Sequence, residues 1–201
     1  KNLIYGINLF RVLARVGCKS VLTTGSCVEY GKTIGKLREN QNPLPSSTFA
    51  TTKNSLRLIG EQIAKENNMK FIWTRLFYVY GPEQREGSLI PHIFSNFLKN
   101  QPTNIKNPDG ANDFVYVEDV IEAILLIIKK CQSPSAIYNI GSGKLTSVEK
   151  IIKIIYGGKV VKKQLRGFYA DVSKIKKEIG WKPRTKIEDG IRKYIEYHNG
   201  L

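Results

Sequence analysis

Ser26 closes an apolar run in "SVLTTGSCVEYG", and Lys53 stands four residues after Phe49 in "SSTFATTKNSLRL". The four-residue spacing puts Phe49 and Lys53 on one face of a helix. A hydroxyl at a strand end and an ammonium on a helix can hold an oxygen, an anion or a shared proton. Each also has a plain structural reading: serine is a common turn residue, and most lysines are solvated. Two further strand ends are polar, in "RLFYVYGPE" and "YNIGSG". "NIGSG" lacks the glycine spacing of a dinucleotide fingerprint and is no phosphate loop by itself. Open α/β sheets bind ligands at the carboxyl ends of their strands, so three polar ends mark one side of a sheet for a site.

Regular elements must bring those ends together. Leu3, Ile7, Phe10, Leu13 and Ala14 recur at a helical period and predict a helix over 2–16, stopped by Gly17. "SVLTTGS" reads as a buried strand. "KTIGKLRENQNPLPSS" is a loop with two prolines. Ser46, Ser47 or Thr48 caps a helix that runs to about Asn67. "KFIWTRLFYVYG" is a strand closed by Gly81-Pro82, "VEDVIEAILLIIKK" an apolar helix, and "AIYNIGSG" another strand. Strand and helix at this spacing predict a parallel α/β sheet. Residues 83–117 interrupt the rhythm. After residue 144 come two or three amphipathic helices and a short strand, "KVVKK". The pattern predicts a sheet domain interrupted and followed by pieces of a smaller one.

Composition narrows the function classes. The chain has 201 residues and a hydrophobic fraction of 41%, enough for a real core. No apolar run reaches the roughly 18 residues of a membrane helix, and the first residues show no secretory cleavage site, so no membrane partner is expected. The net charge of +15 comes mostly from lysines spread through helical segments such as "VSKIKKEIGWKPRTK". No RNP-like motif, zinc finger or compact recognition helix accompanies it, so no nucleic-acid partner is expected; an anionic small substrate suits the charge. Cys18, Cys27 and Cys131 have no paired spacing, which argues against a disulfide framework and a metal site and for a cytoplasmic home.

The ordered series is more specific than its parts. Ser26 with "VEYG", residue 49 with Lys53, "RLFYVYGP", "SLIPHIF", "DFVYVEDV", "YNIGSG" and "ADVSKIKKEIGWKP" resemble the extended short-chain dehydrogenase/reductase superfamily. More narrowly, the chain resembles its NAD-dependent epimerase/dehydratase family, which acts on nucleotide sugars, and the resemblance spans essentially the whole chain. It implies an α/β fold: a partial Rossmann-like doubly wound parallel sheet with a smaller C-terminal α/β substrate domain. Residues 1–82 and 118–143 would bind NAD or NADP, and 83–117 and 144–201 the nucleotide-sugar substrate. The resemblance also implies a homodimer through helices 2–16 and 49–67. The family's opening glycine-rich loop has no counterpart here, and the alignment starts on the family's fourth helix, roughly one hundred residues in.

The family's chemistry uses a Ser or Thr, a Tyr and a Lys. The resemblance places Ser26 and Lys53 at the first and last of these and Phe49 at the tyrosine. A tyrosine hydroxyl with its pKa lowered by the lysine and the cofactor ring would be the general acid/base. Phenylalanine has no proton to give or site to take one. Asn2, Ser26, Lys53 and Phe77 match cofactor-binding positions, and Tyr78, Ser88, Leu89 and Arg166 match substrate-binding ones. Asn112 stands before Asp113, where an arginine is frequent in the family. Epimerases, reductases and dehydratases share this core; the last is less favoured, because only Glu29 follows Ser26 and in a different register. The competing reading is a non-catalytic homologue that binds a nucleotide sugar or a partner protein.

Overall fold

The structure is a computed structural model that describes residues 2–103, 105, 107, 110–158 and 164–200. The strand expected at "KVVKK" lies outside these residues. Helix α1 (Asn2–Arg15) leads to strand β1 (Ser20–Ser26) and a turn of 3-10 helix, Cys27–Tyr30. Then come β2 (Gly35–Leu37), α2 (Thr48–Glu66), β3 (Lys70–Leu76), β4 (Tyr78–Tyr80) and α3 (Leu89–Leu98). β5 (Ala111–Asn112), β6 (Phe114–Tyr116), α4 (Val117–Lys130) and β7 (Ser135–Ile140) follow. The chain ends with β8 (Thr146–Ser147), α5 (Val148–Tyr156), β9 (Phe168–Ala170), α6 (Ser173–Ile179) and α7 (Ile187–Asn199).

The central sheet is parallel, in the order β1-β3-β7. Its register sets Ser26 beside Leu76 and Leu76 beside Ile140, so the three polar strand ends finish level. Side chains alternate across the sheet. Phe71 and Trp73 pack with Phe10, Ala64 and Met69 under α1 and α2. Ile72 points the other way, toward Val120, Ala123, Ile127 and Trp181 under α4 and α6. Helices therefore cover both faces, as the strand–helix rhythm predicts. A second core, with Tyr80, Ile93, Phe94, Ile151 and Ile191, lies under α3, α5 and α7. Short ladders lead away from the sheet: β4 with β6, β2 with β9 and β5 with β8.

The outer edges of the sheet are partly covered by side chains. Phe71 N–H donates to the Pro134 carbonyl, so odd-numbered residues of β7 turn their main-chain groups away from β3. Of these, Asn139 N–H is taken by the Glu39 carboxylate at 2.9 Å and the Ile137 carbonyl by Lys174 Nζ at 2.8 Å. On β1 the Lys19 carbonyl accepts from Lys70 N–H, which turns the even-numbered groups outward. Three of them are engaged: the Ser20 carbonyl by the Cys18 thiol at 3.2 Å, the Thr24 carbonyl by Lys53 Nζ at 2.9 Å and Ser26 N–H by Glu29 Oε1 at 2.7 Å.

Lysine serves the fold elsewhere too. Lys70 Nζ donates to the Cys131 carbonyl at 2.7 Å and Lys130 Nζ to the Ile179 carbonyl at 3.0 Å, capping the ends of α4 and α6. Part of the positive charge thus answers unpaired carbonyls. Helix α1 buries Phe10 but leaves Ile4, Tyr5, Leu9 and Val12 exposed on its outer face.

Candidate active site and ligand cavity

Ser26 is the last residue of β1 and the N-cap of the Cys27–Tyr30 turn. Its Oγ accepts from Val28 N–H at 3.5 Å while its own N–H donates to Glu29, the reciprocal pattern of a capping box. Glu29 is fully buried. It accepts from the Trp73 indole N–H, 3.1 Å from each oxygen, and from Arg75 Nε at 3.0 Å. The Arg75 guanidinium lies 4.4 Å over the Tyr30 ring, and Tyr30 donates to Asn139 Oδ1 at 2.8 Å. A rigid buried network thus anchors the turn that carries the hydroxyl.

Helix α2 supplies the partner. Ser47 caps it by accepting from Ala50 N–H at 3.2 Å. One turn in, Lys53 reaches across to the Thr24 carbonyl, two residues before Ser26. Phe49, on the same helix face, is 57% exposed. An apolar residue buried at a helix start is therefore not the explanation of Phe49, whose ring is open to solvent.

A cavity of about 810 Å³ begins where the turn ends. Its walls include Leu89, Asn112, Arg166 and Phe168, with the segment Gly31–Ile34 along one side. Arg166 and Leu89, both expected from the sequence, meet here. Ser88 caps α3 next door without a side-chain hydrogen bond. Tyr78 does not line the cavity; its ring packs against Phe114 at 5.8 Å and Phe168 at 6.3 Å, and burial raises its pKa. The Phe77 ring is buried with Cys27, Tyr30 and Leu37, and its N–H donates to the Ile140 carbonyl. Asn2 is exposed at the start of α1.

Asp113 ties the cavity to the sheet. Its buried carboxylate accepts from Ser142 N–H at 2.6 Å, Gly143 N–H at 3.0 Å and Ala170 N–H at 2.9 Å. One residue thereby fixes the "NIGSG" turn and the β9 wall. Burial holds its pKa above the usual carboxylate value, although the Ser142, Ala170 and Gly143 donors pull it down. Sequence reasoning missed this role, and missed Lys32 and Ile34 as cavity residues. The only available signal for the latter was that they follow "EYG".

Among the described residues no cluster of three or more His, Cys, Asp or Glu is placed to hold a metal ion, and no helix is long and apolar enough to cross a membrane. The cysteines are free thiols. Burial pushes Cys27 up to about 12, which keeps it protonated and unreactive at neutral pH. Iodoacetamide at pH 8 should therefore label the half-buried Cys18 in the folded protein and spare Cys27 until denaturant is added, as mass spectrometry would read; equal labelling of both would contradict the packing.

A family model described as "NAD dependent epimerase/dehydratase family" matches residues 1–141. The curated dTDP-4-dehydro-6-deoxyglucose reductase of Escherichia coli is 29% identical over 214 residues, covering 98% of this chain and 66% of the reductase. The UDP-glucuronate 4-epimerase of Thermodesulfobacterium geofontis is 27% identical over 210 residues, covering 98% of this chain and 64% of the epimerase. Among solved structures, MoeE5 in complex with UDP-glucuronic acid and NAD superposes with a TM-score of 0.89 at 25% identity, over 98% of this chain and 71% of its own. The chain spans about two thirds of the length of these curated relatives.

Proposed function

The chain belongs to the NAD-dependent epimerase/dehydratase family, and from that premise we propose that it binds a nucleoside-diphosphate sugar in the Arg166 cavity, with the sugar directed toward Ser26 and Lys53. The observation that carries this reading is continuity. The turn that starts at Ser26 runs directly into the cavity wall at Gly31, and the cavity holds a guanidinium, an amide and apolar surface together. A diphosphate suits the guanidinium, and a base suits the flat apolar wall. The proposal assigns the cofactor to residues 1–82 and 118–143 and the substrate to 83–117 and 144–201.

Ser26 and Lys53 suit the ribose end of NAD or NADP. Lys53 spends one of its three N–H donors on Thr24 and keeps two for ribose hydroxyls. Asn2 and the Phe77 carbonyl would complete that end. When bound, the dinucleotide supplies the hydride acceptor for redox at a sugar carbon. Ser26 would hold the sugar oxygen, but Phe49 offers no acid or base to move its proton. The chain is thus proposed as an epimerase- or reductase-type protein impaired at one step. The exposed ring of Phe49 and the intact Ser26–Lys53 pair leave non-catalytic binding of a nucleotide sugar as the second reading.

Calorimetry with UDP-glucose and dTDP-glucose tests the binding claim directly. Binding of at least one is expected, and Arg166→Ala should weaken it by about tenfold or more, since hydrogen bonds to charged groups contribute about 1.5–3 kcal/mol. Binding of neither sugar would sink the reading. We also propose a homodimer through α1 and α2, supported by the outward Ile4, Leu9 and Val12 of α1 and Leu58 of α2. Sedimentation should find a dimer that Leu9→Glu converts to monomer; an already monomeric protein would refute it.

A further inference from the structure

Two neighbouring segments of the cavity wall are built differently. Arg166, Gly167 and Phe168 run into β9, which is held by Asp113. Beside them, Gly31–Gly35 is secured only at its ends. Gly31 N–H donates to the Val28 carbonyl at 3.1 Å, and Gly35 N–H to the Gly167 carbonyl at 2.8 Å. Both glycines have positive φ, +83° and +89°. At Gly31 a Cβ would strike the Leu44 carbonyl oxygen, whereas Gly35 has open space around it. Each end thus sits in backbone geometry that other residues rarely adopt.

Between these pivots the chain is unanchored. Lys32, Thr33 and Ile34 form no hydrogen bond through side chains or main-chain N–H groups among the described residues. Ile34 is 78% exposed, yet it borders a cavity whose lining includes Leu89, Val148 and Phe168. A lone exposed isoleucine means little. One placed at the mouth of a partly apolar cavity, on an unbonded segment between two positive-φ glycines, has somewhere to go.

We propose that Gly31–Gly35 is a strap that swings about its two glycines onto an occupied cavity, laying Ile34 over the ligand and bringing the Lys32 ammonium to its anionic group. The ligand class rests on the nucleotide-sugar reading above; the strap itself rests on the pivots, the missing bonds and the exposed isoleucine. Closure would shield the bound ligand from water and slow its release, the usual role of a small lid.

Trypsin cleaves after Lys32, and mass spectrometry can follow the Lys32–Thr33 bond in the full chain. Saturating UDP-glucose or dTDP-glucose should slow that cut about tenfold while the Arg15–Val16 cut, at the end of α1, proceeds unchanged. Simple shielding by the ligand is separated by Ile34→Ser, which should leave the melting temperature of the free protein unchanged. With this variant dissociation should quicken about tenfold with little change in association, the fold-change expected for one isoleucine covered on binding. If a sugar binds but the cut is not slowed, or if Ile34→Ser releases it at the original rate, the strap is refuted and the nucleotide-sugar reading stands. If neither sugar binds, both fall.

Discussion

Replacing Phe49 by tyrosine should raise turnover by a factor of about 10² to 10⁴, the range that a positioned general acid/base supplies. The variant belongs in the full-length protein, with NAD or NADP and a set of nucleoside-diphosphate sugars, read by nicotinamide absorbance. The position favours the gain. Phe49 is exposed, so an added hydroxyl meets no packed neighbour, and it shares a helix face with Lys53. That lysine would favour the phenolate and draw the tyrosine pKa down from about 10. Lys53→Met in the tyrosine background should then cancel most of the gain and move the pH profile upward, because the phenol would ionise later. No gain from Phe49→Tyr would favour the binding-protein reading.

The largest loss of stability should come from Glu29→Ala. Glu29 and Arg75 are a fully buried ion pair at 3.0 Å. Truncation would strand the Arg75 charge and leave the Trp73 indole N–H and Ser26 N–H without their acceptor. Breaking a buried pair on one side costs about 3–5 kcal/mol. For a chain of this size that is a fall in Tm of about 10 °C or more. Calorimetric melting would read it, and a fall under about 3 °C would show that water enters and solvates Arg75. Replacing both partners by methionine should recover much of the loss, because the penalty lies in the orphaned charge.

This pair also shows what a sequence hides. Glu29 and Arg75 are 46 residues apart, and nothing local distinguishes them from surface charges; only the register of β1 on β3 brings them together. Ser26, Lys53 and the strand ends were legible because strand and helix periods are local and the sheet order follows from right-handed crossovers. Arg166 and Leu89 were legible only through the resemblance. Lys32 and Ile34 were not, since a loop carries no period. The helix boundaries moved by a residue or so, from 2–16 to Asn2–Arg15 and from 49–67 to Thr48–Glu66, within the ordinary fraying of helix ends. The exposure of Phe49 was hidden too, because an aromatic residue at a helix start is equally compatible with either side.

The capped edges of the sheet bear on how copies of this chain can aggregate. An open strand edge is a template for further strands. On β7 the Glu39 carboxylate and Lys174 occupy two of the outward groups that an incoming strand would need, Asn139 N–H and the Ile137 carbonyl. On β1 Cys18, Lys53 and Glu29 occupy the Ser20 and Thr24 carbonyls and Ser26 N–H, and the outward groups of Leu22 have no partner among the described residues. A strand added at β7 would have to displace the Glu39 and Lys174 bonds first. Side-chain partners thus make both edges poorer templates than bare strands.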